Sequence, residues 1–192
     1  MEQVLALDFH LFHLINQHWT NGWLDQLMPC FREKLFWAPL YLFLLSFVWI
    51  NYGTRVWPFV LAVIVTLALA DTASSQWVKK SVKRPRPCHL WQESEDIRLL
   101  THCGAGYSFT SSHASNHFAL AVFLGLTLGR RIRWLMGGLL LWAAMIAYAQ
   151  VYVGLHFPLD VLAGALLGSM IALLVARVYL SWSQMDFLQL NN

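Results

Sequence analysis

Charge is scarce in this sequence. Lys, Arg, Asp and Glu make up 12% of its 192 residues, against roughly 25% in a soluble domain, which is too little to cover a water-facing surface. Cysteine is scarce as well, and three residues do not make a disulfide framework. Cys88 and Cys103 do share one polar segment and could close a loop there if that face is oxidising, leaving Cys30 free. His89 and His102 flank the pair, so a Cys/His metal site is open too, although the spacing is not that of a usual zinc module. The opening "MEQVLALDFHLFHLINQHW" lacks a basic n-region and a small-residue cleavage site and does not read as a secretory signal. The net charge of +3 is small and its basic residues are clustered, which gives no nucleic-acid footprint.

What is present is apolar length. The chain is 58% hydrophobic, with ten Trp and twelve Phe that suit interfacial aromatic belts. Residues 35–54, 56–78, 109–129, 134–152 and 159–180 are apolar runs of near-spanning length, since about 20 helical residues cross a bilayer. Lipid cannot satisfy backbone groups, so such runs must be helices. Residues 4–19 carry Val4, Leu7, Leu11, Leu14 and Ile15 at helical spacing, interrupted by Asp8, His10, His13 and His18. That pattern suits a helix lying in the interface, anchored by Trp19 and Trp23, or one covering the end of the bundle. The predicted fold is an all-α integral membrane helix bundle: five transmembrane helices plus an interfacial N-terminal amphipathic helix. Residues 1–192 form one domain, in which 1–30 is the interfacial helix and connector and 79–108 an extramembrane segment over the site.

Alternate connections fall on opposite sides. One side holds Arg55, Arg130, Arg131, Arg133 and Arg177, and its short arginine-rich loops mark it as cytoplasmic. The 79–108 segment and the His156 loop then face a periplasm-like space outside a bacterial inner membrane. Gly164 and Gly168 on the last run form a GxxxG, a pattern that permits close helix packing.

Three polar clusters interrupt the apolar pattern on that outer face. In "KKSVKRPRP" (79–87), Lys79, Lys83 and Arg86 follow a helix end that Pro85 and Pro87 enforce. Cations on a stiff chain suit phosphate, or merely flank a membrane helix. In "FTSSHASNH" (109–117), Ser111 or Ser112 is a natural N-cap, and a helix N-terminus offers free N–H groups to an anion. His113 sits in its first turn; His117, one turn on, reads as packing. In "YVGLHFPLD" (152–160), His156 and Asp160 stand four apart around Pro158, so the carboxylate can hold one imidazole nitrogen and leave the other as a nucleophile or base. Asp71 lies inside a span and reads either as functional or as a hydrogen bond to a Ser or Thr on a neighbouring helix.

Together these stretches resemble the three signatures of the type-2 phosphatidic acid phosphatase family of integral membrane lipid phosphatases, over about residues 25–180. The pattern K-x6-R-P matches Lys79 through Arg86-Pro87. P-S-G-H is similar to Thr110-Ser111-Ser112-His113, and S-R-x5-H-x3-D to Ala149-Gln150 followed by His156 and Asp160. The resemblance implies that His156 attacks phosphorus and forms a phosphohistidine, that Asp160 orients it, and that His113 protonates the leaving group. It implies that Lys79, Arg86, Ser111 and Ser112 hold the phosphate, with no metal or other cofactor. Gln150 stands where the family has Arg, and Lys83, Arg84 or Lys80 would have to supply that charge, Lys83 first. The expected partners are the bilayer and a membrane lipid phosphate: undecaprenyl diphosphate first, phosphatidic acid or phosphatidylglycerophosphate as alternatives. A lipid-to-lipid phosphotransferase and a non-catalytic lipid-phosphate binding or transport protein remain as rival readings, and the oligomeric state is left unknown.

Overall fold

In the computed structural model, residues 2–53, 56–91, 97–129 and 134–183 are described. Arg55, Arg130, Arg131 and Arg133, on which the expected orientation rested, lie outside them. Every regular element among the described residues is helical. The α-helices, in chain order, are α1 (Glu2–His13), α2 (Gly22–Arg32), α3 (Ala38–Tyr52), α4 (Val56–Thr72), α5 (Lys79–Val82), α6 (Pro87–Leu90), α7 (Ser112–Thr127), α8 (Leu135–Tyr152) and α9 (Pro158–Ser183). A π-helical stretch, Ala73–Val78, joins α4 to α5 without a break.

Four stretches are long and apolar enough to cross a membrane: Lys34–Asn51, Val56–Leu90, Leu135–Tyr152 and Pro158–Trp182. Their outer surface is a band of exposed aliphatic and aromatic side chains, among them Leu42, Ile50, Leu61, Leu166 and Leu174. A band of this extent would associate or aggregate in water and is at home in lipid. The fifth apolar run gives a shorter helix: α7 has 16 residues and starts at Ser112 instead of Phe109. At 1.5 Å per residue that is about 24 Å, less than the ~30 Å hydrocarbon core.

α7 is the axle of the bundle, packed against α4, α8 and most extensively α9. Its buried face is built from small residues, including Ala114, Ser115, Ala119, Ala121 and Gly125. The partner face on α9 is equally small. A Cβ at Gly164 would strike the carbonyl of Ser111, and one at Gly168 the carbonyl of Ser115. The GxxxG is therefore used within the chain, to bring α9 against the first turns of α7. Below that crossing, Phe59, Phe123, Trp142, Ile146 and Tyr179 fill the core.

The polar end is closed by α1, α2 and the 97–108 loop. Asn16, buried after α1, donates to the carbonyls of Arg98 and Tyr152, both at 2.8 Å, and accepts from the Arg98 N–H at 2.8 Å. Asp25 on α2 pairs with Arg98 at 2.7 Å and accepts from the Tyr152 hydroxyl at 2.7 Å. Cys88 and Cys103 form a disulfide, which commits both sulfurs and removes the Cys/His metal reading.

Gly168→Leu should separate α9 from α7, because the obstacle is backbone and cannot rotate away. We expect a loss of about 3 kcal/mol, measured as a lowered unfolding midpoint in detergent; an unchanged midpoint would contradict the packing.

Candidate active site

The chain leaving α5 cannot stay helical, because a residue before proline is driven out of the helical region. Lys83 takes a left-handed conformation (φ 53°) as the C-cap of α5, and the following Arg-Pro-Arg-Pro runs extended into α6. The turn aims Arg84 inward, and its carbonyl accepts from the Ser108 N–H at 2.7 Å. Arg86 is half-buried and its Nε donates to the Gly106 carbonyl at 3.3 Å. Lys79 on α5 is also half-buried, and its charge, like that of Arg86, reaches His156.

Ser111 is the N-cap of α7, as its hydroxyl chemistry predicts, accepting from the Ala114 N–H at 3.4 Å. Its own N–H donates to the Asp160 carbonyl at 2.9 Å, so the N-terminus of α7 is tied directly to the first turn of α9. Ser112 accepts from Ser74 at 3.1 Å. His113 lies one position on, its ring parallel to that of His117, with centroids 6.3 Å apart. His117 Nδ1 donates to the His113 carbonyl at 2.8 Å, which leaves Nε2 facing the Tyr41 hydroxyl at 3.3 Å. His117 thus fixes the first turn of α7, the packing role its spacing predicts.

The loop between α8 and α9 folds back on the end of α8: the N–H groups of Leu155 and His156 both reach the Gln150 carbonyl, at 3.1 and 3.2 Å. This seats His156, 2% exposed, above a fully buried Asp160. Nδ1 of His156 lies 3.6 Å from Asp160 Oδ2 and 3.4 Å from the Ser108 hydroxyl. The first separation is an ion-pair distance; catalytic hydrogen bonds are often this loose without substrate. Ser108 donates a short hydrogen bond to the same Oδ2, which also accepts from the Phe157 N–H at 2.8 Å. Asp160 Oδ1 accepts from Arg84 at 2.8 Å. Burial holds the His156 pKa down, to about 4, against the opposing pull of Asp160; the charges of Arg86 and Lys79 push the same way as burial. The ring is therefore neutral at pH 7 and has a free nitrogen lone pair.

The structure brings His156, Asp160, Ser111, Ser112, His113, Lys79 and Arg86 to one end of the bundle, where His113 and His156 are close enough that a proton on one disfavours a proton on the other. Lys83 does not join them. It is exposed, because the left-handed turn it makes at the C-cap of α5 points it outward, and the cation brought to Asp160 is Arg84. Gln150 is fully buried, and neither of its amide atoms has a partner among the described residues. Asp71 does bond a neighbouring helix, but through Asn116 Nδ2 at 3.0 Å instead of a Ser or Thr.

Sequence reasoning missed three residues. Ser108 carries no local signal. Arg32 on α2 was passed over, yet its charge reaches both His113 and Arg86. Asp8 was read only as an interruption of an amphipathic stripe; it is buried and bridges Arg84 at 2.6 Å and the Leu159 N–H at 2.8 Å.

Comparison with known proteins places the chain in a family. Residues 55–183 match the PAP2 superfamily. The lipid A 4'-phosphatase of Bacteroides thetaiotaomicron is 33% identical over 171 residues, 88% of this chain and 75% of that one. The undecaprenyl-diphosphatase of Sulfolobus acidocaldarius is 32% identical over 180 residues, 92% of this chain and 81% of that one. The fold superimposes on the crystal structure of the first transmembrane PAP2 type phosphatidylglycerolphosphate phosphatase from Bacillus subtilis with a TM-score of 0.74, at 21% identity, covering 95% of this chain and 89% of that one.

Two outcomes follow from the site. A His156 pKa of about 4 when folded, against 6.5 when free, means that below pH 6.5 the unfolded chain takes up a proton that the folded chain refuses. His156 therefore withdraws stability as pH falls from about 6.5 towards 4. Between pH 7 and 5 the wild type should lose about 2 kcal/mol more than His156→Gln does, read from unfolding midpoints; equal losses would show that the ring is not held neutral. Lys83→Gly should relieve the left-handed strain and stabilise by about 1 kcal/mol, with phosphate release at the wild-type rate; a drop in that rate would return Lys83 to the site.

Proposed function

The chain belongs to the PAP2 superfamily, and from that premise we propose that it is a membrane lipid phosphatase working through a phosphohistidine. The observation that supports this reading is the meeting of three helix ends at one end of the bundle: the basic tail of α5, the capped N-terminus of α7 and the His156–Asp160 pair at the head of α9. Neutral His156 attacks phosphorus through Nε2 while Asp160 draws the Nδ1 proton. The phosphorus–oxygen bond to the lipid breaks, and the leaving oxygen takes a proton from His113, whose protonated form the bound phosphate charge favours. Water then attacks phosphorus and gives its proton to His113, the bond between phosphorus and Nε2 breaks, Nδ1 of His156 takes its proton back from Asp160, and inorganic phosphate departs. Lys79, Arg86, the Ser111 hydroxyl, the Ser112 N–H and the Gln150 amide hold the phosphate oxygens. Charge-assisted bonds of this kind are the strong ones, and they serve best where charge develops in the transition state.

The bundle also offers room for a lipid. A cavity of about 710 Å³ runs between α3, α4 and α7, lined along its length by Val48, Phe59, Val63 and Leu124. Its polar residues, Lys34, Asp71, Asn116 and His117, cluster at the helix ends nearest His113. An amphiphile laid there places its chains in apolar space and its phosphate at the site. Among lipid phosphates, undecaprenyl diphosphate and the 4'-phosphate of lipid A stand first, since relatives at about one-third identity are named for them. The Cys88–Cys103 disulfide suits an oxidising space, which supports a site on the outer face of the inner membrane. α7 then serves as the fifth crossing, and α1 lies along the interface with Trp19 and Trp23.

The decisive measurement is phosphate release by detergent-solubilised protein from both lipids, in EDTA. Release should persist in EDTA for wild type and fall by at least ~100-fold in His156→Ala and His113→Ala. A phosphorylated acceptor lipid without free phosphate would make the protein a phosphotransferase. Binding without release, with His156→Ala indistinguishable from wild type, would make it a carrier.

A further inference from the structure

Asp8 has no part in the phosphate chemistry above, yet at 1% exposure it is among the most deeply buried charges of the protein. It sits on α1, more than 150 positions before Asp160 in the chain. Its Oδ1 accepts from the Leu159 N–H at 2.8 Å, at the start of α9. Its Oδ2 accepts from one terminal nitrogen of Arg84 at 2.6 Å, and the other terminal nitrogen donates to Asp160 Oδ1 at 2.8 Å. The guanidinium carbon lies 4.0 Å from the centre of the Phe157 ring. Arg84 is thereby fixed by two carboxylates and an aromatic face.

That division of Arg84 has a consequence for Asp160. A guanidinium presents a rigid fork that prefers to close on one carboxylate with two bonds. Shared with Asp8, the fork reaches Asp160 through one nitrogen and one oxygen only. Oδ2 is left to Ser108, the Phe157 N–H and His156 Nδ1. Without the charge of Asp8, Arg84 is free to close on both oxygens of Asp160 and turn Oδ2 away from the imidazole.

We propose that Asp8 is a positioning residue for the catalytic pair: by holding one arm of Arg84, it keeps the Asp160 carboxylate facing His156. The N-terminal helix is then a working part of the catalytic apparatus and not only a cover. The kinetic readout rests on the lipid phosphatase reading, whereas a binding readout with orthovanadate does not. Vanadate accepts a fifth, axial nitrogen and so reports how well the imidazole is aimed.

The test uses the full chain in detergent. Asp8→Asn keeps an acceptor oxygen for Leu159 and removes the charge; Arg84→Lys keeps a charge but cannot bridge two carboxylates. For each we expect kcat on a lipid phosphate to fall ~10-fold with KM within about twofold, the pattern of a misaimed group and not of a lost binding contact. Vanadate affinity by calorimetry should weaken ~10-fold, with affinity for inorganic phosphate within about twofold. The double variant should be no worse than the poorer single one, because both remove the same constraint. Wild-type kcat and vanadate affinity in either folded variant would overturn the proposal, as would losses that multiply in the double variant. Should Asp8→Asn fail to fold, Arg84→Lys decides alone on the same readouts. Should the wild type release phosphate from no lipid tested, the phosphatase reading falls, and the vanadate affinities still decide the role of Asp8.

Discussion

A carboxylate without exposure to water organises this protein. Asp160 is fully buried, and an ionised carboxylate in such surroundings is tolerated only when its oxygens are fully bonded. The partners it uses come from separate parts of the chain: Arg84 after α5, Ser108 before α7, the Phe157 N–H at the head of α9, and His156 from the loop before it. Its backbone carbonyl takes the Ser111 N–H as well. Satisfying one residue therefore assembles three helix ends. Removing any charged partner of such a buried pair typically costs about 3–5 kcal/mol, so folding and the geometry of the site are enforced together.

The cations divide into two duties by burial and partner. Arg84 is engaged by Asp8 and Asp160 and is not available to a phosphate. Lys79 and Arg86 carry no ion pair with a carboxylate among the described residues, and Arg32 adds a third charge that reaches His113 and Arg86. This bears on Gln150, which occupies the place of an arginine in the family pattern. Position 150 is fully buried, and a guanidinium there would join a region that already holds three cations before substrate arrives. A neutral amide at that position adds no such repulsion.

Much of this was legible in the sequence, for physical reasons that differ from part to part. Four of the five expected spans were legible because lipid demands helices and helices demand length. The Ser111 cap, the proline-enforced end of α5 and the i, i+4 pair of His156 and Asp160 were legible because each is a local rule with a short reach. Lys83 was misplaced by helical spacing: one turn after Lys79 is a neighbouring position only if the helix continues, and Pro85 ends it. Asp8 and Ser108 were out of reach because their roles depend on tertiary partners with no trace in local pattern. The length of α7 was overestimated because apolar composition runs on past the point where Ser111 caps the helix.

That cap links packing to chemistry. The N-terminus of α7 meets the first turn of α9 through the Ser111 N–H and the Asp160 carbonyl, and the two glycines of α9 let the neighbouring helix close over its first turns. A helix N-terminus at the surface would lose its field to water, since exposed charges are screened within about 10 Å. Buried under the first turn of α9, the same N–H groups lie in surroundings of low dielectric, where an anion gains far more from them. The cavity between α3, α4 and α7 opens to the side, towards lipid-facing residues such as Leu45 and Ile64. A phosphate carried on an apolar chain can enter by that side from the bilayer, whereas a free, strongly hydrated one must shed its water to follow. The cavity's apolar side opening thus suits a lipid-borne phosphate.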